Sequence, residues 1–150
     1  MQRSHETQPM PGVARYLGYG GVLPFAAMAL NHIAGAPLPP DFALKAFLFY
    51  SAAILSFLGG IRWGSITTAE YGLAREMVTS VIPSLWAVVC LLLNDAAASV
   101  WCLLAGFTLM GAIDYLRPSP GLAIWMRQLR LQLTIAVVVC HFVLVWSLHT

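Results

Sequence analysis

Charge is scarce in this sequence. Eight Lys or Arg and six Asp or Glu are spread over 150 residues, so 9% are charged while 59% are hydrophobic. An average soluble domain carries roughly 25% charged residues. So few charges cannot cover the surface of a soluble body of this size, which excludes an ordinary soluble enzyme domain. A net charge of +2 with that apolar content also excludes a disordered chain. Nucleic acid is excluded as a partner, because its binders need a basic face and eight scattered Lys/Arg do not form one. Cysteine is nearly as scarce. Cys90, Cys102 and Cys140 show no C-x-x-C spacing, so a zinc or thioredoxin-like site has no support. No internal repeat and no low-complexity tract is present.

Long uncharged runs lie between the rare charges. Arg15 to Asp41 encloses 25 residues without Asp, Glu, Lys or Arg, Lys45 to Arg62 encloses 16, and Glu76 to Asp95 and Asp95 to Asp114 enclose 18 each. The 20 residues after Arg130 carry no formal charge. About 20 mostly apolar residues suffice for a helix to cross a bilayer. The pattern predicts an all-α bundle of five transmembrane helices at about 16–33, 43–66, 77–93, 98–116 and 131–148. In lipid these must be helices, since each segment has to satisfy its own backbone. A barrel would need alternation, which Trp86–Leu93 lacks.

Turn signals mark the joints. Pro37-Leu38-Pro39-Pro40 makes a rigid turn, with Asp41 a candidate N-cap for the second span. Asn94-Asp95 is short enough to make the third and fourth spans a helical hairpin. Gly121 to Arg130 reads as a short interfacial helix, with Ile124, Trp125 and Leu129 towards lipid and Arg127 and Arg130 at headgroups. Residues 1–13 form a polar tail and 14–150 a single transmembrane domain. Ala34-Gly35-Ala36 has the form of a signal-peptide cleavage site. Pro37 follows directly and the polar leader is long, so a retained first helix is the expectation.

Orientation follows from Lys and Arg. With the N-terminus inside, Arg3, Arg15, Arg62, Arg75, Arg117, Arg127 and Arg130 collect on the inner side, and Lys45 alone lies outside. Cys90 and Cys102 lie near the outer ends of adjacent helices, where a disulfide is geometrically conceivable. The favoured reading of all three cysteines is small buried thiols. His32 and His141 differ in expected depth by roughly 9 Å, a poor match for two axial haem ligands. They read as polar contacts inside the bundle, and Asn31 as a residue solvated at the interface.

The densest signal is Tyr50–Gly64 in the second span. Ala52, Ser56, Gly60 and Gly64 recur every four residues and form a small-residue stripe. Such stripes let helix backbones approach closely, so a packing face is the first reading and a ligand-lining face the second. On the packing reading, Gly60→Leu is worse than Arg62→Leu. Arg62 lies near the inner end of this span, so it must snorkel or pair. Asp114 sits at comparable depth and is the proposed partner. Glu76, at a helix start that favours negative charge, is its rival. Pro83-Ser84 suggests a kink in the third span, and Trp63, Trp101, Trp125 and Trp146 read as interfacial belt residues. The candidate polar and packing site is therefore Arg62, Asp114, Glu76, Ser56, Gly59, Gly60, Gly64 and Trp63. No catalytic constellation, cofactor motif or metal-ligand spacing accompanies it.

Ser56-Phe57-Leu58-Gly59-Gly60-Ile61-Arg62-Trp63-Gly64, with Leu17–Phe25, Pro83 and Leu129–Thr134, resembles an uncharacterised family of small polytopic membrane proteins. That family occurs in proteobacteria and includes a mitochondrial transmembrane protein of animals. The resemblance implies a multi-pass protein of the bacterial inner membrane and names no substrate, cofactor or catalytic residue. Three functions remain. A non-enzymatic accessory or assembly subunit, packing against other membrane subunits or itself in the lipid bilayer, ranks first. A small oligomeric transporter or channel for a solute, ion or lipid ranks second. A membrane enzyme acting on an anionic headgroup ranks third.

Overall fold

The apolar runs fold into helices in this computed structural model, which describes residues 11–34, 37–66, 73–119 and 122–149. The first ten residues of the polar tail and the Gly35-Ala36 half of the cleavage-like site lie outside the described residues. Six helices follow in order: α1 (Gly12–Gly20), α2 (Leu23–Ala34), α3 (Pro40–Ile66), α4 (Leu73–Leu91), α5 (Ala96–Leu116) and α6 (Ile124–His149). Taken together, α1 and α2 make one apolar stretch, and with α3 to α6 they give five segments long and apolar enough to cross a membrane.

The first span is broken in two. Pro24 has no N–H to reach back four residues, so the helix loses a bond just where Gly20 and Gly21 weaken it. The chain interrupts for Gly21-Val22 and resumes at Leu23. The Gly21 carbonyl accepts a hydrogen bond from Tyr50 Oη at 2.9 Å, which satisfies it without the helix. Pro83 behaves differently, since α4 runs through it from Leu73 to Leu91.

Other joints differ from expectation. Asp41 does not cap α3. Pro40 takes the first helical position, where its missing N–H costs nothing, and Asp41 falls inside the first turn, where its charge suits the helix dipole. Asp95 caps α5, its side chain accepting from the Ala97 N–H at 3.0 Å. Instead of a separate interfacial helix to Arg130, α6 runs unbroken from Ile124 to His149. No Gly or Pro interrupts 122–149, and Arg130 finds an acid inside the bundle instead of a headgroup.

Packing centres on α3 and α5. The α3–α4 contact is the most extensive, α5 lies against α3, α4 and α6, and α2 joins α3 to α6. By contrast, among the described helices α1 touches only α2 and α6. The core includes Phe25, Phe47, Leu55, Val100, Leu103 and Phe107, all fully enclosed. Two glycines set the closest approaches. Gly59 lies so tightly on the backbone carbonyl of Ser80 that a Cβ there would force a shift, and at Gly106 a Cβ would meet Leu55 and Trp86 side chains at 2.8 Å. The stripe expected to pack does not do so at Gly60, where a Cβ would meet nothing within 4 Å among the described residues. The reason is the helical angle, which turns Gly59 towards α4 and its neighbour Gly60 away.

Candidate functional site

Three helix ends and the start of α6 converge at one end of the bundle, here the arginine end. Arg62 comes from the last turns of α3, Glu76 from the first turn of α4, Asp114 from the last turn of α5, and Arg130 from two turns inside α6. All four are buried, with Arg62 only 1% and Arg130 only 3% exposed. Arg62 forks: one terminal nitrogen donates to Asp114 Oδ1 at 2.8 Å and the other to Glu76 Oε2 at 2.6 Å. Both acids weighed from the sequence are thus its partners. Asp114 is shared in turn, because Arg130 donates to Oδ2 through Nε at 2.9 Å and through a terminal nitrogen at 2.6 Å. Two cations and two anions alternate in one chain of contacts, and their formal charges cancel.

The remaining valences are largely taken up. Arg130 also donates to the Leu58 carbonyl at 3.3 Å. Ser119, itself buried, donates to Glu76 Oε2 at 3.4 Å, and the exposed Arg75 lies 3.7 Å from Oε1. Arg62 Nε alone of these donors has no partner among the described residues. A guanidinium held by carboxylates on both prongs is the geometry that best offsets desolvation. Breaking such a buried pair from one side typically costs about 3–5 kcal/mol.

The other sequence candidates separate from this network. Ser56 donates back to the Ala52 carbonyl at 2.8 Å and so serves its own helix. Trp63 is about half exposed, consistent with a ring at an interface. Gly60 is exposed, while Gly59 makes the close contact with α4. Sequence reasoning missed Arg130 and Ser119. Leu129 and Arg130 are buried instead of facing lipid and headgroups. The missed signal was arithmetic on helix length: without a breaker after residue 122, Arg130 must lie inside the helix and near the depth of Asp114. Arg127 does stay near the surface, donating to the Tyr115 carbonyl at 2.9 Å.

Two further polar residues are placed. Asn31 is buried, not solvated; its side chain donates to the Leu38 carbonyl at 3.0 Å and accepts from the Leu38 N–H at 3.1 Å. His141 is fully enclosed by Phe25, Phe47 and Phe107, with ring centroids 5.8, 4.7 and 5.2 Å away. Its Nδ1 lies 2.9 Å from the Val137 carbonyl, and Nε2 has no partner among the described residues. The three cysteines are free thiols. Among the described residues, no three His, Cys, Asp or Glu gather closely enough to hold a metal ion.

The fold and this network define a small multi-pass helical membrane protein with a charge-neutral ion cluster inside its bundle. The chain belongs to a family described as protein of unknown function (DUF3429), whose model matches residues 10–146. It is similar to transmembrane protein 69 of Xenopus tropicalis, with 35% identity over 147 residues covering 92% of this chain and 54% of that protein. The chain therefore spans about half the length of the curated relative it matches. No solved structure matches it.

Proposed function

We propose that this is a non-enzymatic accessory or assembly subunit of the bacterial inner membrane, packing against other membrane subunits or a second copy of itself. The observation that carries this reading is the saturation of the intramembrane charges. Arg62, Glu76, Asp114 and Arg130 bond to one another and are buried, so they act as a clamp on four helices. Outside the clamp the bundle presents apolar side chains such as Phe49, Phe57 and Leu109, with the small residue Gly60 exposed on the same helix as Phe57. A small residue on a lipid-facing side is where another helix can approach. The arginine bias supports an orientation with the N-terminus and the clamp on the cytoplasmic side and the C-terminus outside.

The alternative is a small oligomeric transporter or channel. Among the described residues, the four charged side chains buried in the bundle are spent on each other, which favours the packing role. Gentle detergent extraction of the natively expressed protein, followed by size separation and identification of co-migrating chains, tests the choice. A defined larger complex is the expected result. A lone homo-oligomer that passes solute through liposomes would overturn it.

A further inference from the structure

A cavity of about 410 Å³ opens between α1, α2, α3 and α6. Its walls run from Ala14, Ile61 and Met126 at the arginine end to Phe25, Phe107 and Val137 deeper in the bundle. Along α6, Met126 to Val137 spans about 16 Å at the helical rise. That is roughly half of the ~30 Å hydrocarbon core, the reach of one leaflet. The volume falls within the range of small-molecule pockets. Among the lining residues only Arg130 and Thr134 are polar, and Arg130 already directs its donors at Asp114 and the Leu58 carbonyl. The space suits an apolar chain, and walls without partner atoms forfeit their dispersion contacts.

The rim supplies a second observation. Arg15 follows the wall residue Ala14, and Arg127 follows the wall residue Met126. Arg15 is exposed there and Arg127 is partly so. The acids described there, Glu76 and Asp114, are buried in the clamp. Among the described residues, the accessible charge around the mouth is therefore positive. A cationic rim over an apolar slot of one-leaflet length complements an anionic head on a long tail.

We propose that this groove holds one acyl chain of an anionic phospholipid from the leaflet at the arginine end, with the rim arginines at its head. The outer wall is α1, which among the described helices touches only α2 and α6 and is separated from α2 by the Gly21-Val22 break. That gives the tail a way in from the side.

Photolabelling of the full chain in liposomes tests this. Two probes each carry a diazirine at the acyl terminus, one phosphatidylglycerol and one phosphatidylcholine. The expected labels from phosphatidylglycerol, assigned residue by residue, fall on Phe25, Phe107 and Val137. A headgroup charge near each arginine is worth about fivefold in occupancy, so Arg15→Gln with Arg127→Gln should remove most of the preference over phosphatidylcholine. Ile54→Trp and, separately, Leu133→Trp should abolish groove labelling while leaving labels on the outward-facing Leu85 and Leu109, which report a folded, inserted protein. Labels confined to Leu85 and Leu109 in the unaltered protein overturn the proposal, whatever else fills the groove. Equal labelling by both probes overturns the anionic head. Groove labelling that survives both tryptophan variants overturns the groove as the binding place.

Discussion

On its α4 flank, α3 brings Gly59 against the Ser80 backbone, and the neighbouring α4–α5 contact closes around Gly106 beneath Trp86. On its other flank the same helix turns Ile54, Phe57, Leu58 and Ile61 towards a cavity of about 410 Å³. One side is joined with no space for a methyl group, and the other leaves a slot. The difference follows from what each flank packs against. Towards α4 the glycines remove side-chain bulk, and helices in lipid associate through such close contact. Towards α1 the broken first span offers only a short, peripheral helix, which makes no contact with α3 among the described helices. Arg130 stands between the two regimes, with its charge in the clamp and its flank in the slot.

This contrast can be broken at several points. The largest effect is expected from Asp114→Asn, which removes the anion shared by two buried guanidinia. A loss of about 3–5 kcal/mol is expected, read as a lower midpoint when the helical protein is unfolded by denaturant in micelles. An unchanged midpoint would mean the clamp contributes nothing. Next comes Gly59→Ala on the tight flank, with a loss of about 1–3 kcal/mol from overpacking. The neighbouring Gly60→Ala should go the other way, unchanged or stabilised by up to about 1 kcal/mol, because its Cβ meets open space and alanine favours helix. If the adjacent glycines behave alike in the same unfolding assay, the two flanks of α3 do not differ as described. Asn31→Ala should cost about 1 kcal/mol, since it removes both bonds to Leu38, and proteolysis at the 37–39 turn should quicken. The smallest stability change is expected from Ile54→Trp, which fills existing space; a loss as large as that of Gly59→Ala would show that the slot is not there.

Much of this arrangement was legible in the sequence. Five apolar runs gave five membrane-crossing segments because the bilayer leaves the backbone no other solution. The arginines and acids near span ends pointed to intramembrane pairing, since a short carboxylate such as Asp114 cannot reach far for solvent. Rotation about helix axes was less legible. Four-residue spacing placed Gly60 and Gly64 on one face without saying which neighbour that face meets, and the true contact is Gly59. Helix continuity failed similarly at Arg130, where a charge was taken as a boundary although a partner from α5 neutralises it. Asn31 looked like an interfacial residue because nothing local reveals that the turn folds back onto it.

The forked guanidinium also carries a consequence for biogenesis. Arg62 emerges from the ribosome before either of its acids: Glu76 follows 14 residues later and Asp114 52 residues later. When α3 enters the membrane its cation is uncompensated and must lean on headgroups or water. The α3–α4 hairpin brings the first relief, and Asp114 then arrives 16 residues ahead of its own second cation, Arg130. Insertion of α3 and of α5 each leaves one charge, Arg62 and then Asp114, seeking a partner that the next helix supplies. The order of synthesis thus gives the chain a reason to assemble in sequence, and a nascent chain stopped between Asp114 and Arg130 should be an early substrate for membrane quality control.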